Sequence, residues 1–395
     1  MKVLFFCNLV PARTGAVERL LTEVGRVFQG RGDQLVLGLP AEPGDEVASA
    51  WRGAGLTWNL VPGWTDAAGR EHPWRFCGPA LKWLKRHRPD VAVVHFGNEG
   101  PSFVVALLAK AAGLVRVRWV WVQDQQIADP TTVTRGLSRI RLLALVFDHF
   151  VAVYEGGKRS LLLRGIPEHR ISVIRNAVAD YESRRPRGWL RQELGAAPTG
   201  IIVTLVSSLI ARKRVEFSLR AWARLTVSLS SLPPASGPCL VIVGAGREEA
   251  SLKALARDLG VAGAVHFLGY RSDVRDILAE SDLLIHSSMA EATSYAILES
   301  MAASRPAVVT DSGAAREQIE DGVSGFVVGR DEEERFADRI RQLATDANLR
   351  RRMGGEARRR WAEHFTLERA AGQYHSLYQQ RARPSCQRCA GEVEP

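Results

Sequence analysis

The chain has 395 residues, of which 46% are hydrophobic and 24% charged, a balance typical of globular proteins that excludes wholesale disorder. Its length predicts two domains of roughly 150–200 residues each. It contains no run of about 18 uncharged apolar residues, so no membrane-spanning helix is predicted. The net charge of +10 concerns partners rather than fold.

Apolar runs alternate with amphipathic stretches along the whole chain, which predicts parallel sheets flanked by helices. The opening run is read as a buried strand, because it is short for a signal peptide and lacks a small-residue cleavage site. Predicted strands of the first half are Val3–Cys7, Gln34–Leu39, Val91–His95, Val115–Val122 and Phe150–Val153. Predicted strands of the second half are Ile201–Leu205, Leu240–Gly244, Val265–Phe267, Leu283–His286 and Ala307–Thr310.

Between the two series, Asp180–Gly188 is rich in arginine, serine and proline and has no apolar periodicity, which is typical of a linker. We therefore predict domains at residues 1–180 and 181–365. A helix at 366–382 is expected to pack back on the first domain, and a tail at 383–395 is expected to be disordered. Two doubly wound domains facing each other across a cleft would bring two substrates together at the carboxyl ends of their strands.

Basic residues mix with tryptophan in the first half, which suits either an anionic membrane surface or a solvated helix face. The residues concerned are Lys82, Trp83, Lys85, Arg86 and Arg88, then Arg116, Arg118, Trp119 and Trp121. Nucleic acid is not expected as a partner, because no zinc spacing, repeat or aromatic RNA-binding signature occurs. Five scattered cysteines favour a reducing cytoplasm, and the single Cys386-x-x-Cys389 pair is weak evidence for zinc.

The segment Ser281–Ala303 carries the chemistry. A predicted strand runs into a loop holding Glu291, and a helix that begins near Ser294 and Tyr295 contains Glu299. Free backbone N–H groups at that helix start would bind a diphosphate. A carboxylate on each side would accept hydrogen bonds from sugar hydroxyls. The segment therefore predicts a site for a nucleotide sugar.

Here the sequence resembles glycosyltransferase family 4, whose E-x7-E motif falls on Glu291 and Glu299. Further similarity covers LVIVGAG at 240–246, FLGY at 267–270 and residues 305–328, and nearly the whole chain is involved. The resemblance implies an α/β protein of GT-B architecture, with two doubly wound Rossmann-like domains and an interdomain cleft. It also implies a retaining glycosyltransferase that needs no cofactor and no metal.

By this resemblance, Glu291 would contact the donor sugar, Glu299 the ribose and Lys213 the phosphates. Ser208 stands where the family has a phosphate-binding arginine, so Arg212 or Arg214 would have to compensate. Tyr270 and Arg271 would lie near the base. In the first half, Gly15 would lie in a loop whose backbone comes close to a phosphate of the ligand. The next residue is Ala16, where the family has a second glycine. His95 matches an active-site histidine near the acceptor, and Glu317 an acidic position near the donor.

The expected reaction moves a sugar from a nucleotide sugar to a glycan or lipid-linked acceptor in the biosynthesis of cell-surface polysaccharide, lipopolysaccharide or glycolipid. The protein would be cytoplasmic, at or near the inner face of the membrane. Alternatives are a non-catalytic subunit of the same architecture, favoured by Ser208, and a sugar-nucleotide epimerase or phosphorylase. A dehydrogenase is disfavoured, because Glu249 stands where the dinucleotide fingerprint that begins at Gly244 needs its third glycine.

Overall fold

The computed structural model describes residues 1–7, 15–61, 73–95, 99–111, 118–123, 144–183, 185–197, 200–228 and 238–382. The chain divides into two compact units: Met1–Ala177 with Leu367–Pro395, and Val178–Thr366. The predicted boundary followed residue 180, and the observed division follows residue 177. The predicted tail and the Cys386 and Cys389 pair lie outside the described residues.

The first unit is built on a parallel sheet with strand order β3-β2-β1-β4-β5-β6-β7. The strands are β1 (Lys2–Cys7), β2 (Gln34–Leu39), β3 (Thr57–Leu60), β4 (Val91–His95), β5 (Arg118–Gln123), β6 (His149–Ala152) and β7 (Ile171–Val173). β1 and β2 are almost wholly buried, which is typical of strands covered by helices on both faces. The chain reverses its direction of winding between β1 and β4, and ligands bind at such switch points.

Helices of the first unit are α1 (Ala16–Gly30), α2 (Asp45–Gly53), α3 (Pro73–His87), α4 (Glu99–Ala111), α5 (Glu155–Leu163) and the C-terminal α14 (Leu367–Ala382). α14 packs against α1. The ring of His375 on α14 lies edge-on to Phe28 at 5.0 Å, and the neighbouring Tyr378 is fully buried. The C-terminal helix is thus part of the first unit.

Trp83 corrects the expectation of tryptophan at a membrane-facing surface. Its ring is only 7% exposed, packs edge-on against Phe6 and donates a hydrogen bond to Asn59 at 2.8 Å. The 3.6-residue period of α3 turns Trp83 towards the core, whereas Lys82 and Lys85 are exposed. The side chains of Trp119 and Trp121 lie outside the described part of the structure.

The second unit holds a six-stranded parallel sheet of order β10-β9-β8-β11-β12-β13. Its strands are β8 (Ile202–Val206), β9 (Cys239–Val243), β10 (Val265–Gly269), β11 (Leu283–His286), β12 (Ala307–Thr310) and β13 (Gly325–Val328). Its helices are α6 (Trp189–Leu194), α7 (Val215–Ser228), α8 (Glu249–Asp258), α9 (Val274–Glu280), α10 (Tyr295–Ala302), α11 (Ala315–Gln318), α12 (Glu333–Thr345) and α13 (Ala347–His364). The switch point lies between β8 and β11.

Within the described ranges, no helix combines the length and apolar content needed to cross a membrane.

Candidate functional site

Two loops at the switch point of the second unit bring Lys213 and Glu291 together. Lys213 ends a short 3₁₀ turn, Ala211–Lys213, that follows β8, and Glu291 lies in the loop after β11. Because β8 and β11 are adjacent and parallel, their carboxyl ends open at the same edge of the sheet. The ammonium of Lys213 donates directly to Oε1 of Glu291. The predicted phosphate-binding and sugar-binding groups are therefore in contact.

The backbone of Glu291 is held by the loop after β12. Its N–H donates to the carbonyl oxygen of Ser312 at 2.6 Å, and its carbonyl oxygen accepts from the N–H of Ala314 at 3.3 Å. Glu291 and Gly313 form an isolated parallel bridge. The carboxylate is therefore presented by a loop that is tied to the neighbouring strand end.

The side chain of Glu291 is buried and still ionised. Burial raises the pKa of a carboxyl group, but the hydrogen bonds and charges contributed by His286 and by Lys213 outweigh it and lower the pKa of Glu291 to about 2. The distance from His286 Nε2 to Glu291 Oε1 is 3.3 Å, and His286 is only 2% exposed. A buried negative charge at this edge of the sheet is thus held by two donors.

The side chains of Arg212 and Arg214 contact different groups. These two residues are the candidates to replace the arginine that the family has at the position of Ser208. Arg212 donates to the carbonyl oxygen of Ala290 at 2.6 Å and lies 3.8 Å from Oε2 of Glu291. Arg214 pairs instead with Asp331 at 3.2 Å and stacks on Phe217. Of the two, only Arg212 stands beside the site.

Ser208 is exposed in the loop after β8, where its carbonyl oxygen accepts hydrogen bonds from the Ser207 hydroxyl and the Ile210 N–H. Its hydroxyl carries no charge, so it cannot take the role of the expected arginine. In the same loop, the cation that lies beside Glu291 together with Lys213 is Arg212.

The start of α10 corrects one expectation. The N–H of Ser294, predicted to be free for a phosphate, donates to Oε1 of Gln318 at 3.1 Å. The Gln318 amide in turn donates to the carbonyl oxygen of Ser294 at 2.9 Å, so the two groups satisfy each other. Tyr295 is the first helical residue. A phosphate that took the Ser294 N–H would have to displace the Gln318 side chain.

Glu299, the second glutamate of the motif, lies in α10 and pairs with Arg275 of α9 at 3.1 Å. Arg275 also stacks over the ring of Tyr181 at 5.5 Å. These three residues line a pocket of about 280 Å³ together with Asp180 and Arg358. Glu299 therefore faces a small polar pocket, within the same unit as Glu291.

Arg271 is engaged in ion pairs. It forms two bonds of 2.8 Å to Asp273 and one of 2.9 Å to Glu193, and these hydrogen bonds raise its pKa further. Tyr270 beside it is 62% exposed. Glu317 lies in the first turn of α11, where its carbonyl oxygen accepts from Arg360 at 2.7 Å. Arg271 and the backbone of Glu317 are thus engaged with groups other than Glu291 and Lys213.

Gly15 and His95 belong to the first unit. His95 is the last residue of β4, beside the switch point, and the structure describes its backbone only. Gly15 caps α1, and its N–H donates to the carboxylate of Glu18 at 2.9 Å. Since Glu18 is buried, a phosphate at this amide would have to displace a buried carboxylate.

Gly244 and Gly246, which resemble part of a dinucleotide fingerprint, have a packing explanation. Gly244 has φ of 141°, and a Cβ on it would overlap the carbonyl oxygen of Ser207. A Cβ on Gly246 would overlap the carbonyl oxygen of Leu209. The glycines therefore let the loop after β9 pack against the loop that carries Lys213.

Three residues near the site were missed from the sequence: His286, Gln318 and Arg275. His286 ends an apolar strand, where it reads as a core residue. Gln318 lies 24 residues after its partner Ser294, and Arg275 lies 24 residues before its partner Glu299. Neither contact can therefore be predicted from a short stretch of sequence. Among the described residues, no group of three or more His, Cys, Asp or Glu side chains is placed to hold a metal ion. Independence of metal stays a prediction.

Two family models match the chain. "Glycosyl transferases group 1" matches residues 188–360, which lie in the second unit, and "Glycosyltransferase Family 4" matches residues 17–180. Together they include His95, Lys213, Glu291 and Glu299, whereas Gly15 lies just before the first matched residue.

Known relatives point the same way. Lipopolysaccharide core biosynthesis glycosyltransferase LpsE of Rhizobium meliloti is 32% identical over 187 residues, 47% of this chain and 52% of that protein. A GDP-mannose-dependent alpha-(1-6)-phosphatidylinositol monomannoside mannosyltransferase of Mycobacterium tuberculosis is 27% identical over 392 residues, 90% of this chain and 92% of that protein. The chain spans about half the length of the curated relatives it matches first.

A solved structure confirms the predicted fold class. The crystal structure of Anabaena HepE in complex with UDP has a TM-score of 0.77 and 21% identity, covering 96% of this chain and 100% of that chain. The likeness supports two Rossmann-like α/β domains of the GT-B type.

Proposed function

We propose that this chain, which belongs to the family 4 (group 1) glycosyltransferases, transfers a sugar from a nucleotide sugar with retention of configuration. The observation that carries the proposal is the contact between Lys213 and Glu291 at the switch point of the second unit. A cation for phosphates and a carboxylate for sugar hydroxyls lie there side by side. The structural neighbour HepE, in complex with UDP and with UDP-glucose, supports a nucleotide-sugar donor.

Lys213 would stabilise the leaving nucleoside diphosphate. Breaking the glycosidic bond leaves a growing negative charge on the β-phosphate, and a fixed cation lowers the barrier by stabilising that charge. An ammonium has three donors, so Lys213 can hold Glu291 and a phosphate oxygen together. Arg212, which lies 3.8 Å from Glu291, would supply the second cation. No metal step is needed in this scheme.

Glu291 would hold hydroxyls of the transferred sugar. Its low pKa keeps it an ionised acceptor throughout the physiological range. Because it is already paired with two donors, we assign it binding and orientation of the sugar rather than nucleophilic attack. Without a covalent nucleophile, retention would come from attack by the acceptor on the face that the diphosphate leaves.

The acceptor is proposed to be a glycan or lipid-linked molecule of the cell envelope. LpsE is named for lipopolysaccharide core biosynthesis, and the mycobacterial relative for a phosphatidylinositol mannoside. We propose a cytoplasmic location with contact to the inner face of the membrane. The exposed cations Lys82, Lys85, Arg86 and Arg88 of the first unit would then meet anionic headgroups, at about 1 kcal/mol each.

The test is release of nucleoside diphosphate by purified protein. UDP-glucose, UDP-galactose, UDP-N-acetylglucosamine and GDP-mannose would each be supplied with a membrane lipid extract as acceptor source. The proposal expects one donor to be consumed, with the anomeric configuration of the product equal to that of the donor. An inverted product would refute retention. Absence of release with every donor, despite binding, would favour the non-catalytic subunit.

A further inference from the structure

We propose that His286 is a positioning residue, which holds Oε1 of Glu291 so that Oε2 is presented to the transferred sugar. The inference rests on the proposed function, because it assigns a task within the donor site. It concerns discrimination of the sugar part of the donor rather than binding of the nucleotide.

The geometry separates the two oxygens of Glu291. Oε1 accepts from both the Lys213 ammonium and the His286 ring, the latter at 3.3 Å. Oε2 lies 3.8 Å from the Arg212 guanidinium, which is beyond hydrogen-bond distance. Oε1 is therefore anchored from two sides. Within the described part of the chain Oε2 has no hydrogen-bond partner, so it can accept from a hydroxyl group of the sugar.

His286 is suited to anchoring because it cannot move easily. It is the last residue of β11, is paired in register with Val309 of β12 and is 2% exposed. Lys213, by contrast, is a flexible side chain on a short turn that also has to meet the phosphates. While Lys213 shares its three donors with a diphosphate, the His286 bond still holds Oε1 of Glu291.

The contact requires a hydrogen-bond donor at position 286. An ionised carboxylate only accepts hydrogen bonds, so Nε2 of His286 carries the proton in this contact. An imidazole with a proton on Nε2 meets this need, and so does the amide nitrogen of a glutamine at the same position. Leucine fills a similar volume but offers no donor.

The experiment compares His286→Gln and His286→Leu with the wild type. Calorimetric binding of UDP and of UDP-glucose is measured for each, with GDP and GDP-mannose as the second pair, and turnover is followed by release of nucleoside diphosphate. His266→Leu is the matched control, since His266 is a half-buried histidine on β10, at the edge of the same sheet. Should His286→Leu not fold, His286→Met takes its place, because methionine adapts to irregular space.

We expect His286→Leu to bind UDP as the wild type does, and to lose about 10- to 100-fold in kcat/KM for the sugar nucleotide, because the carboxylate is displaced. His286→Gln should restore most of that loss, and His266→Leu should show none. The same kcat/KM for His286→Leu as for the wild type would overturn the inference. So would equal loss of UDP and UDP-glucose binding, which indicates a general structural role. A wild type that binds neither pair would instead refute the proposed function.

Discussion

The ammonium of Lys213 contacts the carboxylate of Glu291, although 78 residues separate them along the chain. The contact exists because β8 and β11 are neighbours in a sheet whose winding reverses between them. Each residue lies just beyond the carboxyl end of its strand. The order of strands, more than any local motif, places a cation beside a carboxylate at a position where α/β sheets bind ligands.

Glu291→Gln should abolish most transfer while the protein remains folded. The amide keeps the shape of the side chain but loses the charge that accepts sugar hydroxyls. We expect kcat to fall by about 10²–10³-fold, as when one preorganised polar group is removed from an active site. Release of nucleoside diphosphate from the donor that the wild type consumes measures it, and Glu320→Gln, at an exposed glutamate of the same unit, is the control. Near-normal turnover in Glu291→Gln would remove this residue from the site.

The two arginines that flank Lys213 should behave differently. Lys213→Ala and Arg212→Ala are both expected to weaken UDP binding, since each removes a cation beside Glu291. Arg214→Ala should leave UDP affinity unchanged, because Arg214 pairs with Asp331 and stacks on Phe217. Calorimetric titration with UDP distinguishes them. If Arg214→Ala weakened UDP binding while Arg212→Ala did not, the assignment of the second cation would be reversed.

The stability of the protein should depend on pH through Glu291. Its pKa falls from the ordinary 4.5 to about 2 in the folded state, so its ionised form stabilises the fold. That contribution, about 3 kcal/mol, is fully present above pH 4.5 and is lost as the pH falls towards 2. Urea unfolding of wild type and Glu291→Gln should differ most near neutral pH and converge in acid. A difference that stays constant from pH 7 to pH 3 would contradict the ion pair.

Arg275→Gln should weaken binding of the nucleotide part of the donor and leave recognition of the sugar part unchanged. Glu299 is proposed to hold the ribose hydroxyls, and Arg275 fixes its carboxylate at 3.1 Å. We expect weaker binding of UDP and UDP-glucose alike, together with reduced preference for UDP over 2′-deoxy-UDP. Arg257→Gln, at an exposed position on α8, is the matched control. If the preference for UDP over 2′-deoxy-UDP were unchanged, Glu299 would not be the group that binds the ribose hydroxyls.

Gly244→Ala should destabilise the second unit. Gly244 has φ of 141°, and an added Cβ would overlap the Ser207 carbonyl oxygen, so the loop after β8 would have to shift. We expect a loss of several kcal/mol, about 2–4, in the free energy of unfolding. Gly263→Ala is the control, because a Cβ there would meet nothing within 4 Å. Equal stability of the two variants in urea would refute the close approach of the loops.

Much of the fold follows from local sequence. Buried strands such as β1, β9 and β11 were predicted because fully buried parallel strands read as continuous apolar runs. β3 was missed, since three of its four residues are exposed and no apolar run marks it. No clear apolar stripe marks α13 in the sequence, because arginine occupies six of its 18 positions. Its start is fixed by Asp346, whose side chain accepts from the Leu349 N–H at 2.8 Å.

The candidate site was only partly predictable. Glu291 and Lys213 follow predicted strands, so their meeting could be expected from parallel topology. Other hydrogen-bond partners at the site are brought there by tertiary packing. In the sequence His286 looks like a core residue, yet it contacts Glu291. Gln318 reaches Ser294 from a separate helix. The prediction of a free N–H at Ser294 was wrong for this reason. Backbone groups at a helix start can be located from sequence, but their partners cannot.

The most direct test of the Lys213–Glu291 site is calorimetric titration of wild type, Lys213→Ala and Glu291→Gln with UDP and with UDP-glucose, repeated with GDP and GDP-mannose. The account predicts that wild type binds one such pair. Lys213→Ala should then weaken binding of both nucleotide and nucleotide sugar, and Glu291→Gln should weaken only the nucleotide sugar. Wild-type affinity for all ligands in both variants would show that the donor binds elsewhere and would contradict the account.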